Sequence, residues 1–432
     1  MSTHTPEESE SRESDSFLKK PVSRRSLLKM VGVGGIGLLL GGGGIGMIAA
    51  KARTSTNNGV STLTTGDTIP FYGKHQAGIT TPGQNFLSFA SFDLTTTSLA
   101  EVRLLFKAWT QAAAVMTAGQ LLGSDNNNQN LPPSDTGEAA GLSPCKMTIT
   151  FGVGPSFFDA RFGLAGKRPA AFPDLPAFQA DALQPEWCGG DIGVQVCADD
   201  LQVAFHAIRN LARIGRGKAV LRWTQDGFQR TSTADPKSGT PRNLMGFKDG
   251  TGNPHVDDDA SMNEIVWAQS GADSWMAGGS YMVARRIRMR IEIWDRSSLS
   301  DQESTFGRHR DTGAPLGSKD EFDPLDLKAT DASGKPQLPP TSHARLAHMD
   351  GKIKILRRAY SYTGGIDAKT GQLDAGLFFI CYQRDLSKQF IPMQQTLAAS
   401  DKLNEYTVHI GSATFACFPG VREGGYIGET LF

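Results

Sequence analysis

Between residues 85 and 228 the apolar and polar positions follow a strand, helix, strand, strand, helix, strand order. NFLSFASFDL, KMTITFGVG, DIGVQVCA and GKAVLRWTQDGF are short apolar or alternating runs bounded by turn residues, and they predict strands. SLAEVRLLFKAWTQAAAVMTAG and DDLQVAFHAIRNLARI space their apolar residues three and four apart, and they predict helices. The same order returns further along. SYMVARRIRMRIEIW predicts a strand, LSDQESTFGRHR a helix, KIKILRRAYSYT and GLFFICYQ strands, RDLSKQFIPMQQTLAA a helix and SATFACFPG a strand. The later helix of each pass opens on an Asp-Leu pair, Asp200-Leu201 and Asp385-Leu386, with Phe205 and Phe390 each five residues beyond the Asp.

Two βαββαβ passes predict an α+β protein built from two ferredoxin-like halves, with packed antiparallel sheets in a dimeric α+β barrel-like arrangement and helices outside. The first half is expected over residues 53–230 and the second over 231–432. A stretch rich in Gly, Asp, Asn and Pro from Thr231 to about Gly279 links them, and a second insertion over residues 311–348 interrupts the later half. Loops of this length in a compact domain usually carry function or are disordered. The fold alone names no activity.

The first fifty residues belong to neither half. A polar head, the pair Arg24-Arg25, a glycine-rich weakly apolar stretch and the small-residue site Ala50-Lys51-Ala52 read as a twin-arginine signal peptide over residues 1–52, directing export to the periplasm or cell envelope. A membrane helix is the poorer reading, because glycine fills so much of Gly32 to Gly46. Gly32 to Gly37 fits G-x-G-x-x-G but follows a basic cluster instead of a strand, which argues against a dinucleotide site.

Composition narrows the chemistry. Forty-four Lys and Arg balance forty-four Asp and Glu and are spread along the chain, so no nucleic-acid partner is expected. The five cysteines are odd in number and widely spaced, with no C-x-x-C or C-x-x-C-H, which excludes a zinc knuckle and covalent haem attachment. Walker, H-E-x-x-H, G-x-S-x-G and EF-hand patterns are also absent. Three pieces remain: Asp249 in GFKDGTGNPH, His343 in SHARLAH, and Arg357-Arg358 in ILRRAYSY. Each has a plain structural reading, as a turn aspartate, a loop histidine like His348, and an ion-paired strand.

Together the three pieces carry a resemblance. GFKDGTGNP resembles the G-x-x-D-G signature of the dye-decolorizing peroxidases, and SHARLA, ILRRAYSY, GLFFICYQRDL and TFACFPG are similar to the exported EfeB/YcdB branch of that family. The match runs from FYGKHQAGI to TFACFPG, nearly all of the chain after the signal. The resemblance implies non-covalent haem b in the C-terminal half, hydrogen peroxide as oxidant, and an electron donor that the sequence does not name. It implies Asp249 as the distal acid, His343 as the proximal iron ligand and Arg357 as the distal arginine. Gly246, Lys248, Gly250 and Thr251, within the loop 246–254, are expected at the cofactor, with Arg345 paired to a haem propionate.

In that setting an ionised Asp249 shuttles a proton between the peroxide oxygens, while Arg357 supplies positive charge to the departing one. The glycines are expected to let the loop approach the porphyrin where a Cβ would collide. Ala359 stands where some branches carry an asparagine, so that residue's role does not transfer. Trp223, Tyr360 and Tyr362 read first as core, and otherwise as electron relays. The resemblance leaves two other readings open: a deferrochelatase releasing iron from haem beside iron-uptake partner proteins, and a haem-storage module. It also leaves a homodimer open.

Overall fold

The computed structural model describes residues 67–124, 128–179, 181–229, 239–269, 271 and 274–432. The expected signal peptide and the boundary at residues 230 and 231 lie outside the described residues.

The first half contains β1 (Phe86–Leu94), α1 (Leu99–Thr117), β2 (Thr148–Val153), β3 (Ile192–Ala198), α2 (Leu201–Ile214) and β4 (Ala219–Phe228). Its helices start where local chemistry says they start. The Ser98 hydroxyl accepts from the Glu101 N–H at the head of α1, and the Asp200 carboxylate accepts from the Val203 N–H at the head of α2.

The second half contains α3 (Asp259–Ile265), β5 (Ser280–Met289), α4 (Ile291–Trp294), α5 (Leu299–Phe306), α6 (His343–Ala347), β6 (Leu356–Arg357), β7 (Tyr360–Ile366), β8 (Leu373–Gln383), α7 (Phe390–Ser400) and β9 (Thr407–Cys417).

Three expectations are corrected in this half. The run SYMVARRIRMRIEIW leaves the sheet at Met289 and turns into α4. KIKILRRAYSYT is split at Arg358 and Ala359 into β6 and β7, both paired to β8. Asp385 does not cap α7, because its carboxylate accepts from the Ser387 and Lys388 N–H groups in a preceding turn, and the helix begins five residues later at Phe390. The match between Phe205 and Phe390 fails with it, since Phe205 is exposed and Phe390 is buried.

Within each half the strands take the order expected of a ferredoxin-like unit, β2-β3-β1-β4 in the first and β9-β5-β8-β7 in the second. The two sheets join edge to edge, β2 to β9 and β4 to β7, so they close into one antiparallel barrel with no free edge between the halves. The interior is filled, not hollow. Phe89, Trp223, Phe378 and Phe415 meet there with ring centroids 5.2–6.1 Å apart. The paired glycines Gly152 and Gly193 make room for Phe415, whose ring atoms lie 2.8 Å from where a Cβ on Gly193 would stand. Trp223, Tyr360 and Tyr362 are buried in this interior, in keeping with the core reading.

Outside the barrel the halves differ. In the first, α1 and α2 pack on one another and bury Ala90, Phe92, Val194 and Val196 beneath them. In the second, short α6 sits against both α5 and α7. The sheet face there, with Ile287, Met289, Leu377 and Phe379, is covered by a cavity instead of by a helix pair.

Candidate active site

The motif loop is a small hairpin. Arg242 pairs with Lys248, the Asn243 and Phe247 backbones are hydrogen-bonded, and the Asn243 side chain accepts from the Met245 and Phe247 N–H groups. Immediately past this hairpin the Asp249 N–H donates to the Pro241 carbonyl at 2.8 Å, which fixes the direction in which the acid leaves the backbone. Gly246 and Gly250 have φ of 85° and 139°, values that favour glycine. A Cβ on Gly246 would meet the Arg310 guanidinium at 2.9 Å, and one on Gly250 would meet the Thr240 methyl at 3.3 Å. The glycines therefore serve backbone conformation and protein packing.

Arg357 reaches the same point from β6. Its Nη1 donates to Asp249 Oδ1 at 3.0 Å, with both side chains about a quarter exposed. Asn253 holds the Arg357 backbone on both sides, accepting from its N–H at 2.8 Å and donating to its carbonyl at 2.9 Å. Four residues past Asp249, this one amide does for Arg357 what a neighbouring strand would do.

His343 is the first residue of α6, after a Pro-Pro-Thr-Ser lead-in. Its Nδ1 lies 2.6 Å from Asp401 Oδ2, and Asp401 is buried at the end of α7. Burial disfavours a charged imidazole, yet the Asp401 carboxylate outweighs it and the His343 pKa is raised. Asp249 and Arg357 are close enough to add opposing influences, the acid raising the value and the arginine lowering it. With Nδ1 engaged, Nε2 is the nitrogen left to meet a ligand. Phe306 links the two parts of the site, stacking on Phe247 of the motif at 4.2 Å and meeting the His343 ring edge-on at 6.3 Å.

Asp249, His343 and Arg357 all line one cavity of about 330 Å³, within the range of small-molecule sites. Its walls are mainly apolar, with Met289, Phe306, Phe379 and Leu397 among them. Asp249 and Arg357 also line a second, more polar cleft of about 370 Å³ that includes Thr81, Thr240 and His255. The acid and the arginine thus stand, with Asn243, Gly250 and Leu377, in the partition between an apolar chamber and a polar cleft.

Lys248, Gly250 and Thr251 are on the cavity wall, whereas Gly246 and Arg345 are not. The Arg345 guanidinium donates instead to the Leu338 carbonyl at 3.1 Å, bracing the insertion. Arg308 is on the wall in its place. Its guanidinium donates to the backbone carbonyls of Gly313 and Glu321, and burial disfavours its charge, with the Glu321 carboxylate opposing that effect and Arg357 adding to it.

Sequence reasoning missed Arg308, Asp401, Asn253 and Glu321. The last accepts from Lys248 Nζ and, at 2.8 Å, from the Thr251 hydroxyl, tying the insertion to the motif loop. Only Asn253, inside the quoted motif, stood where a local signal pointed.

Comparison with known proteins gives one family. Residues 76–229 match the model described as Dyp-type peroxidase, N-terminal, and residues 240–422 match Dyp-type peroxidase, C-terminal. A deferrochelatase of Escherichia coli O157:H7 is 39% identical over 418 residues, 95% of this chain and 96% of that protein. Among solved structures, a DyP-type peroxidase from Streptomyces coelicolor aligns with a TM-score of 0.79 at 39% identity, covering 84% of this chain and 96% of that one. Ferric DtpA from Streptomyces lividans aligns with a TM-score of 0.78 at 39% identity, covering 84% and 96%. The chain is a member of the Dyp-type peroxidase family.

Proposed function

We propose that the protein is a haem b peroxidase in which His343 is the iron ligand and Asp249 and Arg357 act on hydrogen peroxide. The observation that carries this reading is the convergence of those three side chains, from the motif loop, α6 and β6, on one largely apolar cavity. The residues present fit the group. An imidazole whose Nδ1 is held by a buried carboxylate presents Nε2 as a metal donor of fixed direction. Arg308, a half-buried cation on the wall bonded to carbonyls and, among the described residues, to no carboxylate, suits a propionate.

Bound haem iron supplies the redox centre that takes two oxidising equivalents from peroxide. The chain's own groups manage the proton and the charge. Asp249 Oδ1 is engaged by Arg357, so Oδ2 is the atom that takes the proton from one peroxide oxygen and returns it to the other as water departs. Arg357 stabilises the negative charge that grows on the departing oxygen. The polar cleft beyond the partition suits the approach of a small polar oxidant, and its residues come from 79–83, 228–229, 239–257 and 356–361, with Leu377. An organic or metal-ion donor then returns the electrons one at a time.

The test is Asp249→Asn. The variant is expected to bind haem with an unchanged Soret band and to lose about 10²- to 10⁴-fold in kcat/KM for hydrogen peroxide. Turnover equal to the wild type would remove Asp249 from the chemistry and, with it, this reading of the partition.

The 39% identical relatives named deferrochelatase favour a second activity of the same site, release of iron from haem. Incubation with haem under reducing conditions is then expected to yield metal-free porphyrin fluorescence and chelatable iron, and the absence of both would remove it. The twin-arginine pair and small-residue site support export to the periplasm, with iron-uptake proteins as neighbours. Among the described residues no helix is long and apolar enough to cross a membrane.

A further inference from the structure

Away from the cavity, on the first half, a loop folds back over α2. Its Asp135, Glu138 and the α2 residue His206 bring two carboxylate oxygens and one imidazole nitrogen within 4.8 Å of one another, and none of the three lines the cavity described above. Among the described residues this is the one such group of three or more. Asp135 and His206 are buried, with His206 Nε2 lying 2.8 Å from Asp135 Oδ1.

Two further observations separate this cluster from an ordinary ion pair. Asn210, one turn along α2 from His206 and only 1% exposed, donates its amide to Thr136, the residue between the two acids' turn positions, and to the His206 carbonyl, while its Oδ1 accepts no hydrogen bond. Glu138 Oε2 is likewise buried without a partner. Buried acceptors are normally satisfied, and here two of them sit beside an aspartate and a histidine. A cation with its bound water would give both oxygens a partner.

We propose that Asp135, Glu138 and His206 hold a divalent transition-metal ion, with water completing the shell. A metal about 2.1 Å from each donor places neighbouring corners of an octahedron about 3.0 Å apart. The 2.8 Å between His206 Nε2 and Asp135 Oδ1 is a hydrogen bond whose two atoms a metal would bridge in place of the proton. An imidazole disfavours calcium and magnesium, and the two carboxylates beside it suit Mn²⁺. The Glu138 partner Arg209 is more than half exposed, so surrendering that surface pair costs little.

The haem-loaded protein, cleared of loose metal by EDTA and gel filtration, is titrated with MnCl₂ while free Mn²⁺ is followed by its EPR lines. Uptake of one equivalent is expected, with a rise in thermal midpoint, and Glu138→Gln is expected to weaken uptake at least tenfold while leaving the metal-free circular dichroism and Soret bands unchanged. His206→Gln is expected to behave alike, and if it does not fold, Glu138→Gln decides alone. Failure of the wild type to take up Mn²⁺ stoichiometrically, or uptake by Glu138→Gln at wild-type affinity, overturns the proposal. Neither result bears on the haem site, since the readout is metal binding and not peroxide turnover.

Discussion

Asn253 holds Arg357 by its main chain, accepting from its N–H at 2.8 Å and donating to its carbonyl at 2.9 Å. Asp249 and Asn253 belong to one loop, so the acid and the arginine that it contacts are tied together twice, once through side chains and once through this amide. Asn253→Ala removes both backbone bonds and leaves Arg357 to a two-residue strand. A loss of about 10- to 100-fold in kcat/KM for peroxide is expected, with haem still bound, because small displacements of a charge-stabilising group are expensive. Steady-state kinetics at the wild-type level would mean that β6 positions Arg357 unaided.

Glu321 anchors the insertion to the motif loop through Lys248 and Thr251. Its carboxyl is pushed up by burial but held below the usual range by Lys248, Thr240 and Thr251, so it is ionised at neutral pH. Glu321→Gln keeps the shape and removes the charge, leaving Lys248 facing a neutral amide. A loss of about 1–3 kcal/mol in denaturant unfolding of the haem-free chain is expected. A change under 0.3 kcal/mol, taken as roughly the noise of such measurements, would mean the tether carries no weight.

Gly193 faces Phe415 inside the barrel, where a Cβ would stand 2.8–2.9 Å from three ring atoms. Gly193→Ala is therefore expected to cost about 1–3 kcal/mol by overpacking, with little change in peroxide kinetics once folded. Thermal melts that coincide with the wild type would show that the ring has room to move.

His409 is buried on the cavity side of β9, and burial, helped by the nearby Arg285, lowers its pKa from 6.5 to about 3. The folded chain keeps this ring neutral where the unfolded chain protonates it, so the unfolded state binds the extra proton. Its contribution to stability is whole above pH 6.5 and declines as pH falls from 6.5 toward 3. Urea midpoints of haem-free wild type are expected to fall more steeply across that window than those of His409→Gln, and parallel curves would contradict it.

Much of this architecture was legible along the chain, and the pattern of success is physical. Strand runs such as Phe86–Leu94 and Ile192–Ala198 and the Asp200 cap are local, so residue pattern and capping chemistry sufficed to find them. Asp385 misled because an aspartate caps a turn as readily as a helix, and only the Gln389 side chain, bonded back to the Arg384 and Asp385 N–H groups, shows which. Asp401 lies 58 residues from His343, and nothing local in its own segment marks it as the partner of an imidazole. Arg308 and Arg345 are both arginines near His343 in the fold. Which of them reaches the wall depends on the path of the insertion, and sequence spacing does not encode that.

The account stands most directly on the identity of the iron ligand. The measurement is the absorption spectrum of haem-reconstituted wild type and His343→Ala, each with and without added imidazole. Loss or displacement of the Soret band in the variant, restored toward the wild-type position by imidazole, is the predicted result. A variant spectrum that coincides with the wild type and ignores imidazole would place the ligand elsewhere and contradict the assignment.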